Sequence, residues 1–291
     1  MDRDRAYHRA PMATQDRDLT GKVFLVTGAN TGIGRVTAET LARRGGKVFL
    51  ACRSEEKTRP VLEGIRAAGG TAEFLALDLG SLASVRAAAK TFLDRGEPLH
   101  VLINNAGLAG PRGLTQDGFE LTFGTNHLGP FLFTSLLLPR LRESAPARIV
   151  NVASKAHYDA KGIDWDALKK PTRTITTMHE YQISKLCNVL FTKELARGKA
   201  GEGVKSYSLH PGVVASDIWR KIPWPIRPLI LKGMITVEEG AQTSLYCATS
   251  PEVEGQDGLY YDKSREKKPN RLADDVGLAK ELWAKSEAWV G

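Results

Sequence analysis

The sequence predicts an α/β fold: one domain built on an open, doubly wound sheet of about seven parallel strands, with helices on both faces. Three observations lead there. From Lys22 onward, short apolar and β-branched runs alternate with longer stretches of helical period. The first strand runs directly into a glycine-rich turn and then a helix. Most linkers between these segments are short, as crossover connections in a parallel sheet require.

The strands are expected at Lys22 to Val26, Lys47 to Ala51, Ala72 to Leu77, Leu99 to Ile103, Arg148 to Val152, Lys205 to Leu209 and Leu259 to Tyr261. Helices are expected between them near Ile33 to Arg44, Pro60 to Ala68, Leu82 to Asp94, Phe119 to Arg142, Tyr181 to Ala196 and Val237 to Ala248. Two stretches break the alternation. Lys155 to Glu180 reads as a polar loop. Val213 to Thr236 crowds Trp219, Pro223, Trp224, Pro225 and Pro228 together, so it cannot be one uninterrupted helix. Long irregular segments in a compact domain are often functional, and a substrate lid is expected around 213–236.

Composition narrows the function classes. The chain has 291 residues, 42% of them apolar, enough to bury a large core. Its net charge of +8 would suit an anionic partner, but the basic residues are interspersed with acids, as in Arg3, Asp4 and Arg5. No basic arm or aromatic-interleaved patch forms, so no nucleic acid is expected as a partner. Cys52, Cys187 and Cys247 are widely spaced, which argues for a reducing, cytoplasmic setting and against a metal site. The first eighteen residues are charged throughout and lack a signal's apolar core. They are read as a flexible extension preceding a catalytic domain over 19–291. The longest apolar stretch, Phe131 to Leu138, is far shorter than the roughly 20 residues of a spanning helix, so a soluble protein is expected.

The glycine turn reads Thr27, Gly28, Ala29, Asn30, Thr31, Gly32, Ile33, Gly34. Strand, glycine turn and helix in that order direct backbone N–H groups and a positive helix end to one point, where an anionic pyrophosphate fits. Gly28 permits the tight turn, Gly32 lets the backbone approach the ligand, and Gly34 allows close packing of the helix on the sheet. At the end of the second strand an acid commonly holds the ribose hydroxyl of NAD. Here the run is Ala51, Cys52, Arg53. Arg53 can pair with the 2'-phosphate of NADP, so NADP (as NADPH) is favoured over NAD. Cys52 reads as a small apolar filler.

Tyr181 and Lys185 are four apart in a helical segment, so both leave one face a turn apart. An ammonium beside a phenol favours the phenolate, lowering a tyrosine pKa from about 10 toward the range of a general acid or base. Of the other tyrosines, at 7, 158, 207, 246, 260 and 261, none has a lysine four residues on. Ser154, just after the fifth strand, and Asn126, within the fourth helix pattern, lie where a parallel sheet places its ligands. Asn104, Asn105, Ala106 and Gly107 follow the fourth strand and would let a cofactor lie close to the backbone.

In order, Thr27-Gly28-x-x-x-Gly32-x-Gly34, Asn104-Asn105-Ala106-Gly107, Asn126, Ser154, Tyr181-x-x-x-Lys185 and Pro211-Gly212 resemble the short-chain dehydrogenase/reductase superfamily over roughly Leu19 to Tyr261. Ala-Cys-Arg at 51–53, Asn-His-Leu-Gly at 126–129, Leu-His-Pro-Gly-Val-Val at 209–214 and Ser-Lys-Leu at 184–186 look like its retinol dehydrogenase branch. The resemblance implies a Rossmann-type fold and an enzyme interconverting an alcohol with its aldehyde or ketone. Tyr181 would exchange the proton, Ser154 would orient the substrate oxygen, Lys185 would lower the Tyr181 pKa and bind the nicotinamide ribose, and Asn126 would hold a water. The implied cofactor site comprises Gly28, Asn30, Thr31, Gly32, Ile33, Gly34, Arg53, Asp78, Leu79, Asn105, Ala106, Gly107, Tyr181, Lys185, Pro211, Gly212 and Val214, with Asp78 on the adenine.

The 27-residue separation of Ser154 and Tyr181 matches the long loop of that branch. Membrane-bound relatives there begin with an apolar anchor, and none is expected here. Trp219 and Trp224, with Ser154 and Tyr181, are expected to meet a small hydrophobic alcohol or carbonyl substrate, retinoid-like, fatty or aromatic. Two other readings of the same fold are a non-catalytic NADP-binding regulator and a membrane-associated scaffold. The sequence leaves peripheral membrane contact and homo-oligomerisation open.

Overall fold

The computed structural model describes residues 18–213 and 235–291. Eight strands form one sheet in the order β3-β2-β1-β4-β5-β6-β7-β8. They are β1 (Val23–Thr27), β2 (Lys47–Cys52), β3 (Thr71–Ala76), β4 (Val101–Asn104), β5 (Ala147–Val152), β6 (Val204–His210), β7 (Leu259–Asp262) and β8 (Arg265–Glu266). The first seven are parallel, and the two-residue β8 returns antiparallel to β7. Strand order reverses between β1 and β4, which opens a crevice beyond the carboxyl ends of those two strands.

Each central strand alternates between two buried faces. Phe24 and Val26 join one apolar layer with Ala38, Leu41, Val61 and Leu245. Val23 and Leu25 join the opposite layer with Val85, Phe92, Leu137 and Leu141. Because both faces are covered, the strands read as continuous apolar runs. The helices are α1 (Gly32–Arg43), α2 (Glu55–Ala67), α3 (Leu82–Leu93), α4 (Leu121–Phe123), α5 (Gly129–Glu143), α6 (Met178–Glu194), α7 (Val237–Thr249) and α8 (Val276–Val290).

Several expectations are corrected. The pattern over Phe119 to Arg142 is not one regular helix: α4 and α5 are joined through a π-helical turn, Gly124–Leu128. At that junction the first residue of α5 lies against the loop after β3, where a Cβ on Gly129 would overlap the Leu79 carbonyl. α2 starts five residues before Pro60, because the Ser54 side chain accepts from the Lys57 N–H and caps it. The stretch after Ser154 is no free loop. It forms 3-10 turns at Lys155–Asp159 and Ala167–Lys169, and Ala160 and Leu168 are buried in a third apolar layer with Ile183 and Leu190. α8 went unexpected; it lays Ala279, Leu282, Trp283 and Ser286 into the core at helical spacing.

Except for Asp18, the expected N-terminal extension lies outside the described residues, as does the expected lid apart from Val213, Ile235 and Thr236. Among the described residues, no helix is long and apolar enough to cross a membrane, and no group of His, Cys, Asp or Glu could hold a metal ion.

Candidate active site

The glycine turn and the end of β4 are built as one unit. Thr27, the last residue of β1, accepts the Asn105 and Ala106 N–H groups on its hydroxyl at 3.0 and 2.9 Å, and the Asn105 amide returns to the Thr27 carbonyl at 2.8 Å. Gly28 has φ 66° and Gly32 φ 55°, in the left-handed region that favours glycine. A Cβ on Gly34 would overlap the Gly28 carbonyl and the Asn105 amide, so Gly34 packs the first turn of α1 against the loop itself. Asn30, Thr31 and Ile33 lie between these glycines. Thr31 precedes α1 without a side-chain capping bond, which leaves the first-turn N–H groups of α1 to an anion.

Along the crevice, Arg53 is exposed at the end of β2 with no ion pair or hydrogen bond among the described residues. Cys52 is buried against the backbone of Gly28, Ala29 and Asn30, and burial raises its thiol pKa, as an inert filler requires. Asp78, beyond β3, accepts the Gly80 N–H at 2.9 Å. Leu79 is buried in the core layer. Beyond β6, Gly212 has φ 95° and follows Pro211, while Val214, Trp219 and Trp224 lie outside the described residues.

The remaining groups meet at the ends of β4 and β5. A Cβ on Gly107 would stand 3.3 Å from Asn126 Oδ1 and 3.4 Å from Lys185 Nζ, so bare backbone faces both side chains there. Asn126 sits in the π turn, a local helix widening frequently found at functional positions. Its Oδ1 accepts the Leu108 N–H at 2.8 Å, and its Nδ2 donates to the Leu108 carbonyl at 2.9 Å and to Ser184 Oγ at 3.1 Å. That leaves one lone pair on Oδ1 for a water.

Tyr181 and Lys185 share one face of α6, with Lys185 Nζ 5.6 Å from the centre of the Tyr181 ring. Burial raises the Tyr181 pKa, and a hydrogen bond to Ser154 pulls it the other way. The net direction is opposite to the one expected from the lysine, because desolvation of the phenolate dominates. Burial also lowers Lys185 to about 8. Ser154 Oγ accepts the Ala156 N–H at 3.2 Å, so its own proton is free to be donated toward a phenol or a substrate oxygen.

The sequence reading named Thr27 and Ser184 within motifs without giving them a role, and it overlooked His157. The first could have been found as the hydroxyl opening the glycine turn. The other two carry no local signal of their long-range contacts, Ser184 with Asn126 and His157 with Asn270.

The fit to a nicotinamide dinucleotide is therefore good: glycines at the crowded or left-handed positions of the turn, an uncapped helix start, an Arg53 unpaired among the described residues and a Lys185 beside bare backbone. Comparison with known proteins agrees. Residues 22–165 match the family model described as short chain dehydrogenase. The chain is 44% identical to Retinol dehydrogenase 13 of Homo sapiens, over 94% of this chain and 86% of that protein. It is 42% identical to Retinol dehydrogenase 12 of Mus musculus, over 96% and 89%. It is 42% identical to Dehydrogenase/reductase SDR family member 13 of Bos taurus, over 97% and 77%. A crystal structure of an uncharacterised protein from Mycobacterium paratuberculosis superposes with a TM-score of 0.77 at 33% identity, covering 97% of this chain and 98% of that one.

Proposed function

The chain belongs to the short-chain dehydrogenase/reductase superfamily, in its retinol dehydrogenase-like branch, and on that premise we propose that it is an NADP-dependent oxidoreductase interconverting a hydrophobic alcohol with its aldehyde or ketone. The class, an oxidoreductase acting on CH–OH groups with a nicotinamide dinucleotide, follows from the family. One observation carries the site assignment: Asn126 Oδ1 and Lys185 Nζ face the bare backbone of Gly107, and Tyr181 lies beside both Lys185 and the Ser154 hydroxyl.

Bound in the crevice, the nicotinamide dinucleotide supplies or accepts the hydride at the carbinol carbon. Gly28, Asn30, Thr31, Gly32, Ile33 and Gly34 would hold its pyrophosphate, and Asn105, Ala106, Gly107, Pro211 and Gly212 would line its path, with Asp78 and Leu79 at the adenine. Arg53 supports the choice of NADP, being exposed and unpaired where a 2'-phosphate would reach it. Burial keeps Tyr181 protonated, so the proton to be given to a carbonyl oxygen in reduction is in place. Ser154 donates a hydrogen bond to that oxygen and fixes its direction. Lys185, charged at neutral pH with a pKa of about 8, stabilises negative charge on the phenol and binds a ribose hydroxyl. Asn126 fastens the turn at Leu108 beside both.

A hydrophobic substrate is supported by apolar side chains exposed close in sequence to site residues: Ile175 is 87% exposed, Met178 is open one turn before Tyr181, and Val213 is open next to Gly212. The names of the relatives point the same way, toward retinoid-like substrates. Tyr181→Phe tests the proposal. Reduction of retinal, fatty aldehydes and aromatic ketones should be abolished while NADPH binding, followed by fluorescence titration, stays within about twofold, since only the proton donor is removed. Loss of NADPH binding would mark Tyr181 as structural, and unchanged turnover would end the assignment.

A further inference from the structure

His157 is a fully buried imidazole that the chemistry above leaves unused. It lies three residues beyond Ser154, inside the 3-10 turn Lys155–Asp159. Its Nε2 faces the Asn270 backbone N–H at 3.0 Å and must accept, so the ring proton sits on Nδ1. Nδ1–H therefore donates to the Ser154 carbonyl, at 2.6 Å. The His157 backbone N–H donates to the same carbonyl at 3.1 Å. Burial holds the ring neutral, which keeps this tautomer in place.

Asn270 fastens the other side. Its Nδ2 donates to the carbonyls of His157, Tyr158 and Ala160 at 2.9, 3.2 and 3.0 Å, and its Oδ1 accepts the Leu272 N–H at 2.9 Å. The Tyr158 phenol donates to the Lys268 carbonyl at 2.6 Å, and the ring of His157 lies 4.1 Å from that of Tyr158 and 4.7 Å from that of Tyr260. The ladder of β5 ends at Val152. Ser154 stands past that support, and its carbonyl is gripped by a turn tied to the segment that follows β8, at the far edge of the sheet.

We propose that His157 and Asn270 form a positioning latch that sets the Ser154 hydroxyl for the substrate oxygen. The latch acts through Ser154 and touches neither substrate nor cofactor. This inference rests on the reading of Ser154 given under Proposed function.

The two amide replacements of His157 separate its roles. His157→Asn places an N–H near the position of Nδ1 and keeps the donor to Ser154, whereas His157→Gln reaches toward Asn270 and loses that donor. Expected for His157→Gln is a fall in kcat for carbonyl reduction of about tenfold to a hundredfold, the scale of a small misplacement at a reacting centre, with KM for NADPH unchanged. His157→Asn should keep most of the activity. In a Ser154→Ala background, measured by single-turnover reduction, adding His157→Gln should change the rate less than about twofold, because the group being positioned is gone.

Asn270→Asp keeps the cap on Leu272 and the backbone N–H but removes the donors to the three carbonyls, so it should repeat this pattern should His157→Gln fold poorly. An equal loss in both backgrounds, or full activity of His157→Gln, overturns the latch. Tyr181→Phe, run alongside, reports on the proton donor alone, so its retained turnover would overturn the site reading separately.

Discussion

Lys185 Nζ donates to the Val152 carbonyl at 2.8 Å, and burial alone pulls its pKa down from an ordinary 10.5 to about 8. The ammonium is thus carried into the core against a neutral acceptor. As pH rises through 8 the charge is lost, and with it the grip on a ribose and on a phenolate. For NADPH, kcat/KM reports groups of the free enzyme. It should be level to about pH 8 and fall above it, and in Lys185→Met this limb should vanish from the residual activity. The stability sign is opposite. Below pH 8 the folded state bears the burial cost, and between 8 and 10.5 the unfolded chain binds more protons, so this group stabilises the fold as pH rises. A thermal midpoint that fell together with kcat/KM would show that unfolding, not Lys185, sets the limb.

Arg53 is the cofactor prediction. Charge-assisted bonds to a phosphate contribute about 1.5–3 kcal/mol each, so Arg53→Asp should raise KM for NADPH by roughly tenfold to a hundredfold or more, since repulsion adds to lost pairing. NADH, which has no 2'-phosphate, should be nearly unaffected. Steady-state kinetics with both cofactors decides, and equal weakening would reject NADP as the preferred one.

What the sequence revealed was whatever is encoded locally. The strands were legible because runs such as Val23 to Val26 are apolar without alternation, as strands covered on both faces must be. The glycine turn was legible because Gly28 and Gly32 need left-handed φ, and Tyr181 with Lys185 because four residues make one helical turn. His157 and Asn270 are 113 residues apart and meet only through tertiary packing, so no spacing announces them. The π turn around Asn126 depends likewise on contacts outside the helix, with Leu108 and with Leu79 behind Gly129. The burial that raises the Tyr181 pKa is likewise invisible in a four-residue motif.

Gly34 and Gly32 should respond differently to alanine. At Gly34 the added methyl meets the Gly28 carbonyl and the Asn105 amide, both fixed by the Thr27 network, so the cost is overpacking, about 1–3 kcal/mol, with cofactor binding weakened as the loop shifts. At Gly32 nothing lies within 4 Å, and only the φ of 55° resists, at about 1–2 kcal/mol. Titration with NADPH should show both variants weakened, Gly32→Ala because its methyl stands where the backbone meets the pyrophosphate and Gly34→Ala because the loop shifts, with the larger fall in denaturation midpoint in Gly34→Ala. Equal midpoints for both would show that the Gly34 contact does not shape the cradle.

Trp283 tests whether α8 is part of the domain or an appendage. Its ring lies 4.9 Å from Phe131, edge to face, and 5.7 Å from Phe191, nearly parallel, so it joins α8 to α5 and α6 behind the π turn. Ser286, one turn on, meets His127 Nε2 at 3.1 Å, and His127 directly follows Asn126. Trp283→Ala empties that contact and should cost about 3–5 kcal/mol, a marked fall in the denaturation midpoint. Trp283→Phe should cost much less, because the indole N–H has no hydrogen-bond partner among the described residues. The consequence for activity follows from His127: α8 braces the turn that carries Asn126, so Trp283→Ala should lose kcat at temperatures where circular dichroism still shows a folded chain. Full activity up to the unfolding transition would show that α8 stabilises the fold without shaping the site.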